Sequence, residues 1–476
     1  MKIVADRIFT PADQSDFAAV SGDFNPMHMD EVAARRSLFG APVVHGIHLL
    51  CWALESWLSS RNRAAAGLER LTATFHRGVL LGQTVHTSVL SDAEEFTLEI
   101  GRDRMKIASI RGKLGARVAF PEMLPPMERA RACRIMDSAA LPQAMGSLPL
   151  WYCAPDVIRL FPQLGTALPP FQLAAILATT RLVGMECPGL HSFYSTMKLA
   201  FASEASGSPR MNYRVAAADR FGGTRLAIEG PGFQGELGAF LRPAPRAQAS
   251  VRELEPLVEA GEFSEQRPVV IGGSRGLGEI AAKLLALGGA DVTITYYLGK
   301  KDAEAIAAEI AAAGKRCAAA HFDAHHPAPL ALPQPQQHLY YFATPQIASD
   351  RTTVFSEERF AEYCRYYVGS FARTLLEFAQ QAPALNVFYP STVFLDESAM
   401  DLPEYCAAKA AGEEVCKRLA RRFPAWHIYA PRLPRLATDQ NNGLLPARMQ
   451  DIAIVMLRHL RAMQAHSYPP DGKRGP

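Results

Sequence analysis

The stretch Ser21-Gly-Asp-Phe-Asn-Pro-Met-His28 sets a carboxylate (Asp23), an amide (Asn25) and an imidazole (His28) within six residues, stiffened by Pro26. A carboxylate and an imidazole together can hold one water and pass protons through it. Asn25 is placed to hydrogen-bond the carboxylate and hold it. His45 lies seventeen residues after His28, and its stretch Val43-Val-His-Gly-Ile-His48 opens an apolar run through Leu49, Leu50, Trp52, Ala53, Leu54 and Trp57. A plain structural reading makes Asp-x-Asn-Pro a polar turn with Pro26 at a first helical position. That reading calls for neither His28 nor the cluster around Gly46.

The stretch resembles the active-site signature of the MaoC-like (R)-specific enoyl hydratases and 3-hydroxyacyl dehydratases, matching at Gly22, Asp23, Asn25, Pro26, His28, His45 and Gly46. The resemblance implies a hot-dog fold, a curved antiparallel sheet wrapped on a long apolar helix. It also implies that Asp23 and His28 carry the syn addition or loss of water. A helix starting near Gly46 has unpaired first amides and a positive dipole end. A thioester carbonyl placed there would have its developing enolate stabilised, and Gly46 lets it approach the backbone. Leu71-Thr-Ala-Thr-Phe-His-Arg77 and Leu81-Gly-Gln-Thr-Val-His-Thr-Ser-Val89 alternate as strands should, with His76 and His86 read as sheet-face residues.

At 476 residues the chain exceeds one ordinary core. With 49% apolar and 20% charged residues it has a globular composition, and a net charge of +3 gives no case for nucleic acid or a membrane surface. The eight cysteines are scattered without a Cys-x-x-Cys pair, which argues against a structural metal and for a reducing, cytoplasmic setting. The N-terminus does not read as a signal peptide, and no apolar run reaches membrane-spanning length.

Four segments are expected: a hot-dog domain over 1–120, a second, degenerate hot dog over 121–245, a linker over 246–267, and a Rossmann-type doubly wound parallel sheet over 268–476. The second segment repeats the order of one apolar helix (from Gln172) and then strand-like pieces (Ser192–Phe201, Met211–Ala216, Arg225–Glu229, Glu236–Leu241), without an Asp-x-Asn-Pro-x-His. Its expected role is to wall the acyl tunnel. Cys187 and His191 are read as structural, since no third group orients them.

Pro268-Val-Val-Ile-Gly-Gly-Ser-Arg-Gly-Leu-Gly278 is a strand, a glycine turn and a helix start, suited to a pyrophosphate. Tyr405 and Lys409 share one helix face at i and i+4, where an ammonium would lower the phenol pKa. Alone, that pair is usually a surface pair. With the glycine turn in the same domain it resembles the short-chain dehydrogenase/reductase family. The resemblance implies Gly272, Ser274, Arg275, Gly276, Gly278, Asp323 and Ala343 as cofactor-binding residues, and Ser391, Tyr405 and Lys409 as catalytic. Tyrosine spacing favours Thr392 over Ser391 and the local pattern favours Ser391, which is taken as the candidate. The strand Asp291–Tyr297 ends without an acidic residue for a ribose diol, while Arg275, Lys300 and Lys301 suit a 2′-phosphate, so NADPH is expected rather than NADH. Tyr341-Phe-Ala-Thr-Pro345 departs from the family's Asn-Asn-Ala-Gly, and Tyr366 or Tyr367 stands near the place of its helix asparagine. Both departures put the proton relay in doubt.

The expectation is a bifunctional enzyme acting on a small-molecule acyl thioester carried by CoA or an acyl carrier protein. It would reduce 3-oxo to 3-hydroxy and then dehydrate, with oligomer contacts through the reductase domain. The alternatives are an NAD-dependent hydratase–dehydrogenase, a dehydratase with an inactive reductase-like scaffold, and a non-catalytic carrier-binding module.

Overall fold

In this computed structural model, residues 2–37, 39–61, 67–103, 105–116, 124–125, 132–242, 244–245, 247–330, 337–347, 355–380, 384–397, 402–436, 438 and 450–465 are described. The chain forms two compact units, one holding Met1–Ala244 and the other beginning at Pro245.

The first unit is built on ten strands: β1 (Lys2–Ile8), β2 (Leu68–Phe75), β3 (Thr84–Asp92), β4 (Glu95–Arg102), β5 (Met105–Leu114), β6 (Met145–Pro149), β7 (Ser192–Phe201), β8 (Arg210–Ala218), β9 (Gly223–Gly230) and β10 (Phe233–Leu241). They form one antiparallel sheet in the order β1-β3-β4-β5-β2-β7-β10-β9-β8-β6. Read from either edge, the order within each half is the same: first strand, third, fourth, fifth, second. The halves join through β2 and β7, with Thr72 opposite Lys198. Each half also places an apolar helix before its second strand, Gly46–Ser59 in one and Pro170–Arg181 in the other. Phe171 to Arg181 are all buried, the polar Gln172, Thr179, Thr180 and Arg181 included. Side chains from both helices and both halves of the sheet fill one core.

The boundary expected near residue 120 lies outside the described residues. Sequence segments 1–120 and 121–245 share one sheet and one core. The segment 246–267, expected as a linker, belongs to the second unit. It forms a short helix, Val251–Leu254, closed by a Ser250–Glu253 capping box. Val251, Leu254 and Phe263 are buried in that unit's core. Glu253, Glu255 and Glu259 stand exposed between them.

The second unit carries β11 (Pro268–Ile271), β12 (Val292–Tyr296), β13 (Cys317–His321), β14 (His338–Tyr341), β15 (Leu385–Phe388), β16 (Ser391–Thr392), β17 (Trp426–Tyr429) and β18 (Arg432–Leu433). Six of these form a parallel sheet in the order β13-β12-β11-β14-β15-β17, the doubly wound arrangement expected for a dinucleotide site. Alternation along the strands feeds two cores, one on each face. Val270 faces the core of helices Gly276–Leu287 and Ile452–Ala465. Val269 and Ile271 face the core of helices Glu357–Cys364, Phe371–Ala379 and Pro403–Arg422.

Candidate functional site

The helix Pro11–Ser21 ends at Gly22, whose left-handed φ of 76° turns the chain inward. Asp23 follows, only 1% exposed. Its Oδ1 accepts the Asn25 amide at 3.2 Å and its Oδ2 accepts the Thr180 hydroxyl at 2.7 Å. Asn25 does cap a helix, as the plain reading has it: its Oδ1 accepts from Met27 N at 3.0 Å, with Pro26 in the first turn. Its Nδ2 donates to the carbonyls of Gly184 (2.7 Å) and Leu190 (3.3 Å). The expectation that the Asn25 side chain holds Asp23 is therefore corrected. The Asn25 backbone amide does this, and the side chain ties the turn to the other half of the unit.

His28 Nδ1 lies 2.7 Å from the Val43 carbonyl. A carbonyl only accepts, so Nδ1 carries the proton and Nε2 is left as the basic nitrogen. The His28 ring stacks on His45 at 3.8 Å between centroids. His45 sets Nδ1 on Gln14 Oε1 at 2.7 Å and Nε2 on the Asp23 carbonyl at 3.0 Å. Asp23, His28 and His45 bring one side-chain donor atom each within 4.8 Å of one another, all buried. As a metal set the trio is poorly disposed: both His45 nitrogens face oxygens and His28 Nδ1 is engaged. Helix Gly46–Ser59 starts beside this cluster. A Cβ on Gly46 would press on the Phe75 ring at 3.2 Å, so glycine keeps the helix start accessible.

Burial raises the Asp23 pKa, opposed by the His28 charge, the Thr180 hydroxyl, the Asn25 amide and Arg181. Burial lowers that of His28, opposed by Asp23 and by the bond to Val43. His28 is thus neutral around pH 7 and able to accept a proton.

Sequence reasoning missed Thr180, Arg181 and Gly184. Arg181 lies 5% exposed, 3.6 Å over the Trp151 ring. A Cβ on Gly184 would come within 2.5 Å of Asp23 Oδ1. The available signal was Thr179-Thr180-Arg181, three polar residues closing an otherwise apolar helix.

In the second unit β11 runs into the glycine turn. Gly272 and Gly276 take φ of 76° and 58°. A Cβ on Gly272 would lie 3.0 Å from Ala343 N, and one on Gly278 2.4 Å from the Gly272 carbonyl. The turn thus packs against Ala343 and opens helix Gly276–Leu287, with Arg275 at its N-cap and Ser274 buried just before it. Asp323 accepts the His325 amide at 2.8 Å and pairs with His326 Nδ1 at 3.0 Å. Lys300 and Lys301 stand exposed at the start of helix Lys300–Ala312.

Tyr405 and Lys409 lie on helix Pro403–Arg422, both buried. Thr392 is the hydroxyl close enough to Tyr405 to oppose the effect of burial on its phenol. Ser391, the residue taken as candidate, instead donates to Glu413, which Arg432 also grips at 2.7 and 2.9 Å. Both hydroxyls lie on β16, just past the end of β15, and Glu413 holds that of Ser391. Lys409 Nζ donates to the Pro390 carbonyl at 2.6 Å and lies 3.9 Å from the centre of the Tyr367 ring, against 5.9 Å for Tyr405. Burial among these rings pushes Lys409 down to about 7 and raises Tyr405. The phenol is therefore raised by desolvation, with Thr392 and not the ammonium opposing it, which corrects the expected lowering by Lys409. Tyr367 sits in the π-helical turn Arg365–Ser370 and its hydroxyl meets Thr344 at 2.6 Å.

The model of one family, described as MaoC like domain, matches residues 1–100. Residues 1–100 are a MaoC-like domain. Asp23, Asn25, His28 and Gly46 all lie inside it, and Thr180 and Gly184 lie outside it. The protein MaoC of Klebsiella aerogenes is 41% identical over 68 residues, which are 14% of this chain. The match spans 20% of that curated relative's length. Among solved structures the chain is similar to FolM alternative dihydrofolate reductase 1 from Brucella canis complexed with NADP (16% identical, TM-score 0.38, covering 43% of this chain and 90% of that one). It is also similar to a 3-oxoacyl (acyl-carrier-protein) reductase from Agrobacterium tumefaciens C58 with NADP bound (17%, 0.38, 42% and 88%). A third is a short chain dehydrogenase from Burkholderia cenocepacia J2315 in complex with NADP (20%, 0.37, 44% and 93%). Among the described residues no helix is long and apolar enough to cross a membrane.

Proposed function

We propose that the chain is a two-site acyl-thioester enzyme. The MaoC-like domain would interconvert 3-hydroxyacyl and 2-enoyl thioesters, and the second unit would reduce 3-oxoacyl thioesters with NADPH. The observation that carries the first part is the buried Asp23–His28 pair beside the start of helix Gly46–Ser59, with His28 Nε2 left basic by the bond from Nδ1 to Val43.

In hydration, one of the two acceptors, His28 Nε2 or the Asp23 carboxylate, takes a proton from water as the water oxygen bonds to C3. The thioester oxygen gains charge at the first amides of the helix, where Gly46 admits it. A proton then returns to C2, so that one water is added overall. Dehydration runs these steps backward: C2 loses its proton to the base and the C3 hydroxyl leaves as water. The mirrored strand order and second apolar helix support reading the other half of the unit as a degenerate hot-dog copy that also contributes to the site.

The second part rests on the parallel sheet and the glycine turn. The left-handed Gly272 and Gly276 and the close approach at Gly278 leave helix Gly276–Leu287 open at its N-terminus, a cradle fitted to a pyrophosphate. Arg275, Lys300 and Lys301 would hold a 2′-phosphate, and Asp323 and Ala343 would flank the nucleoside. Bound NADPH would supply hydride. Tyr405 would donate the proton to the carbonyl, oriented by Thr392. Reduction followed by dehydration is the order favoured by an NADPH site, on acyl groups carried by CoA or by an acyl carrier protein. A second reading, a dehydratase with a non-reducing second unit, is favoured by the tie of Ser391 to Glu413 and by the aromatic cage around Lys409.

Turnover of crotonyl-CoA and of a 3-oxoacyl-CoA, with NADPH and NADH in turn, tests both parts. The two-site reading expects hydration of the first, and reduction of the second with a preference for NADPH. Hydration with no nicotinamide oxidation and no NADPH binding would leave the second reading standing. Faster turnover with NAD in the oxidative direction would reverse the proposed order.

A further inference from the structure

A threonine hydroxyl buried in a helix commonly turns back to a carbonyl of its own preceding turn. Thr179 does so, donating to the Ile176 carbonyl at 2.7 Å. Its neighbour Thr180 does not: its hydroxyl donates to Asp23 Oδ2 at 2.7 Å, across 157 residues of sequence. The threonine hydroxyl is the donor and the carboxylate oxygen the acceptor. The next turn, Leu182–Glu186, is π-helical, a local irregularity that recurs at functional sites. It carries Gly184, whose carbonyl receives Asn25 Nδ2 and whose missing Cβ leaves room for Asp23 Oδ1. Oδ2 of Asp23 is therefore held from the other half by a hydroxyl, and the space at Gly184 admits the carboxylate while Oδ1 keeps the local Asn25 amide.

We propose that Thr180 is a positioning residue of the MaoC-like site, contributed by the second half of the unit, whose hydroxyl sets the rotation of the Asp23 carboxylate. The second half is then part of the site as well as a wall of it. The role in turnover rests on the hydratase reading above, whereas the hold on Asp23 does not. The charged and titratable groups around Asp23 are His28 and His45 from the first half, Arg181 beside Thr180, and Cys133. A hydroxyl donating to the charged form opposes the burial that favours the neutral one.

The test uses the full chain as wild type, Thr180→Val, Thr180→Ser, Asp23→Asn and the Thr180→Val/Asp23→Asn double variant. Melting temperatures are taken at about pH 5 and about pH 8, because a group that stabilises the carboxylate contributes more as the carboxylate ionises. The expected result is a deficit for Thr180→Val that widens at the higher pH, closes with Thr180→Ser, and loses its pH dependence when Asp23 is Asn. In crotonyl-CoA hydration the acid limb of the Thr180→Val rate profile should move to higher pH. Its kcat should fall about tenfold, the scale of one charge-assisted hydrogen bond, with KM near the wild-type value. An equal deficit at both pH values, unchanged by Asp23→Asn, would make Thr180 a packing residue and overturn the proposal. A wild type that does not hydrate crotonyl-CoA would defeat the hydratase reading, and the melting cycle would still decide whether Thr180 holds Asp23.

Discussion

Asp23 and Lys409 are both buried ionisable groups, and each makes the native state sensitive to pH in its own direction. For Asp23 the folded pKa is raised, with burial as the largest cause. Its favourable contribution is complete below the usual carboxylate range and is lost as pH climbs through the raised value. Asp23→Asn should therefore cut hydration by about 10²–10⁴-fold and also raise the melting temperature, more at pH 8 than at pH 4. His28→Ala should lose a similar factor in rate with retained folding. For Lys409 the folded pKa is depressed to about 7 by burial. From there up to its ordinary value the unfolded chain binds more protons, so stability should rise with pH across that window, by up to roughly 1.4 kcal/mol per pKa unit. Replacing it in Lys409→Met should flatten that rise, as read by unfolding at a series of pH values. Asp23 and His28 were legible because they act within one short turn. The acceptors of Asn25 Nδ2 were not, since Gly184 and Leu190 lie 159 and 165 residues along the chain.

Among elements, the two apolar helices and most strands of the first unit could be read from their runs and alternation. What could not be read was how the helices serve the sheet. Gln172, fully buried in helix Pro170–Arg181, accepts the Leu68 amide and donates to the Leu68 carbonyl, both at 2.9 Å. Its side-chain amide replaces a missing strand partner at the start of β2 and fastens one half to the other. Gln172→Leu keeps the volume but strands both backbone groups. Denaturant unfolding should then show a loss of about 2–4 kcal/mol, the range for two buried unsatisfied polar groups. Glu55 plays a similar part, receiving the Gln163 and Leu164 amides at the start of helix Pro162–Ala167. Short elements such as β6 and helix Val251–Leu254 escaped sequence reading because four or five residues carry too little periodicity, and their apolar residues sit among prolines or acids.

For the molecule as a whole, the two candidate sites fall in separate compact units, which predicts separable activities. Tyr405→Phe should abolish nicotinamide-dependent reduction while crotonyl-CoA hydration stays within about twofold of wild type, and Asp23→Asn should do the converse, as paired assays of each variant would show. Loss of both activities in Tyr405→Phe would instead make the sites interdependent. The sequence by itself determined the residue chemistry that is local: the Asp23-to-His28 turn, the helix start at Gly46, the glycine turn from Gly272 to Gly278, and Tyr405 and Lys409 on one helix face. Each of these brings its residue types together within one short segment, so spacing alone expresses it. Only the tertiary structure decided that the first two sequence segments share one sheet and one core, and that Thr180 and Gly184 reach Asp23. It also decided that Thr392 rather than Ser391 meets Tyr405, and that Lys409 is caged by tyrosines. Those outcomes depend on burial and on partners far apart along the chain, and the desolvation that shifts Asp23, Tyr405 and Lys409 exists only once the cores have closed.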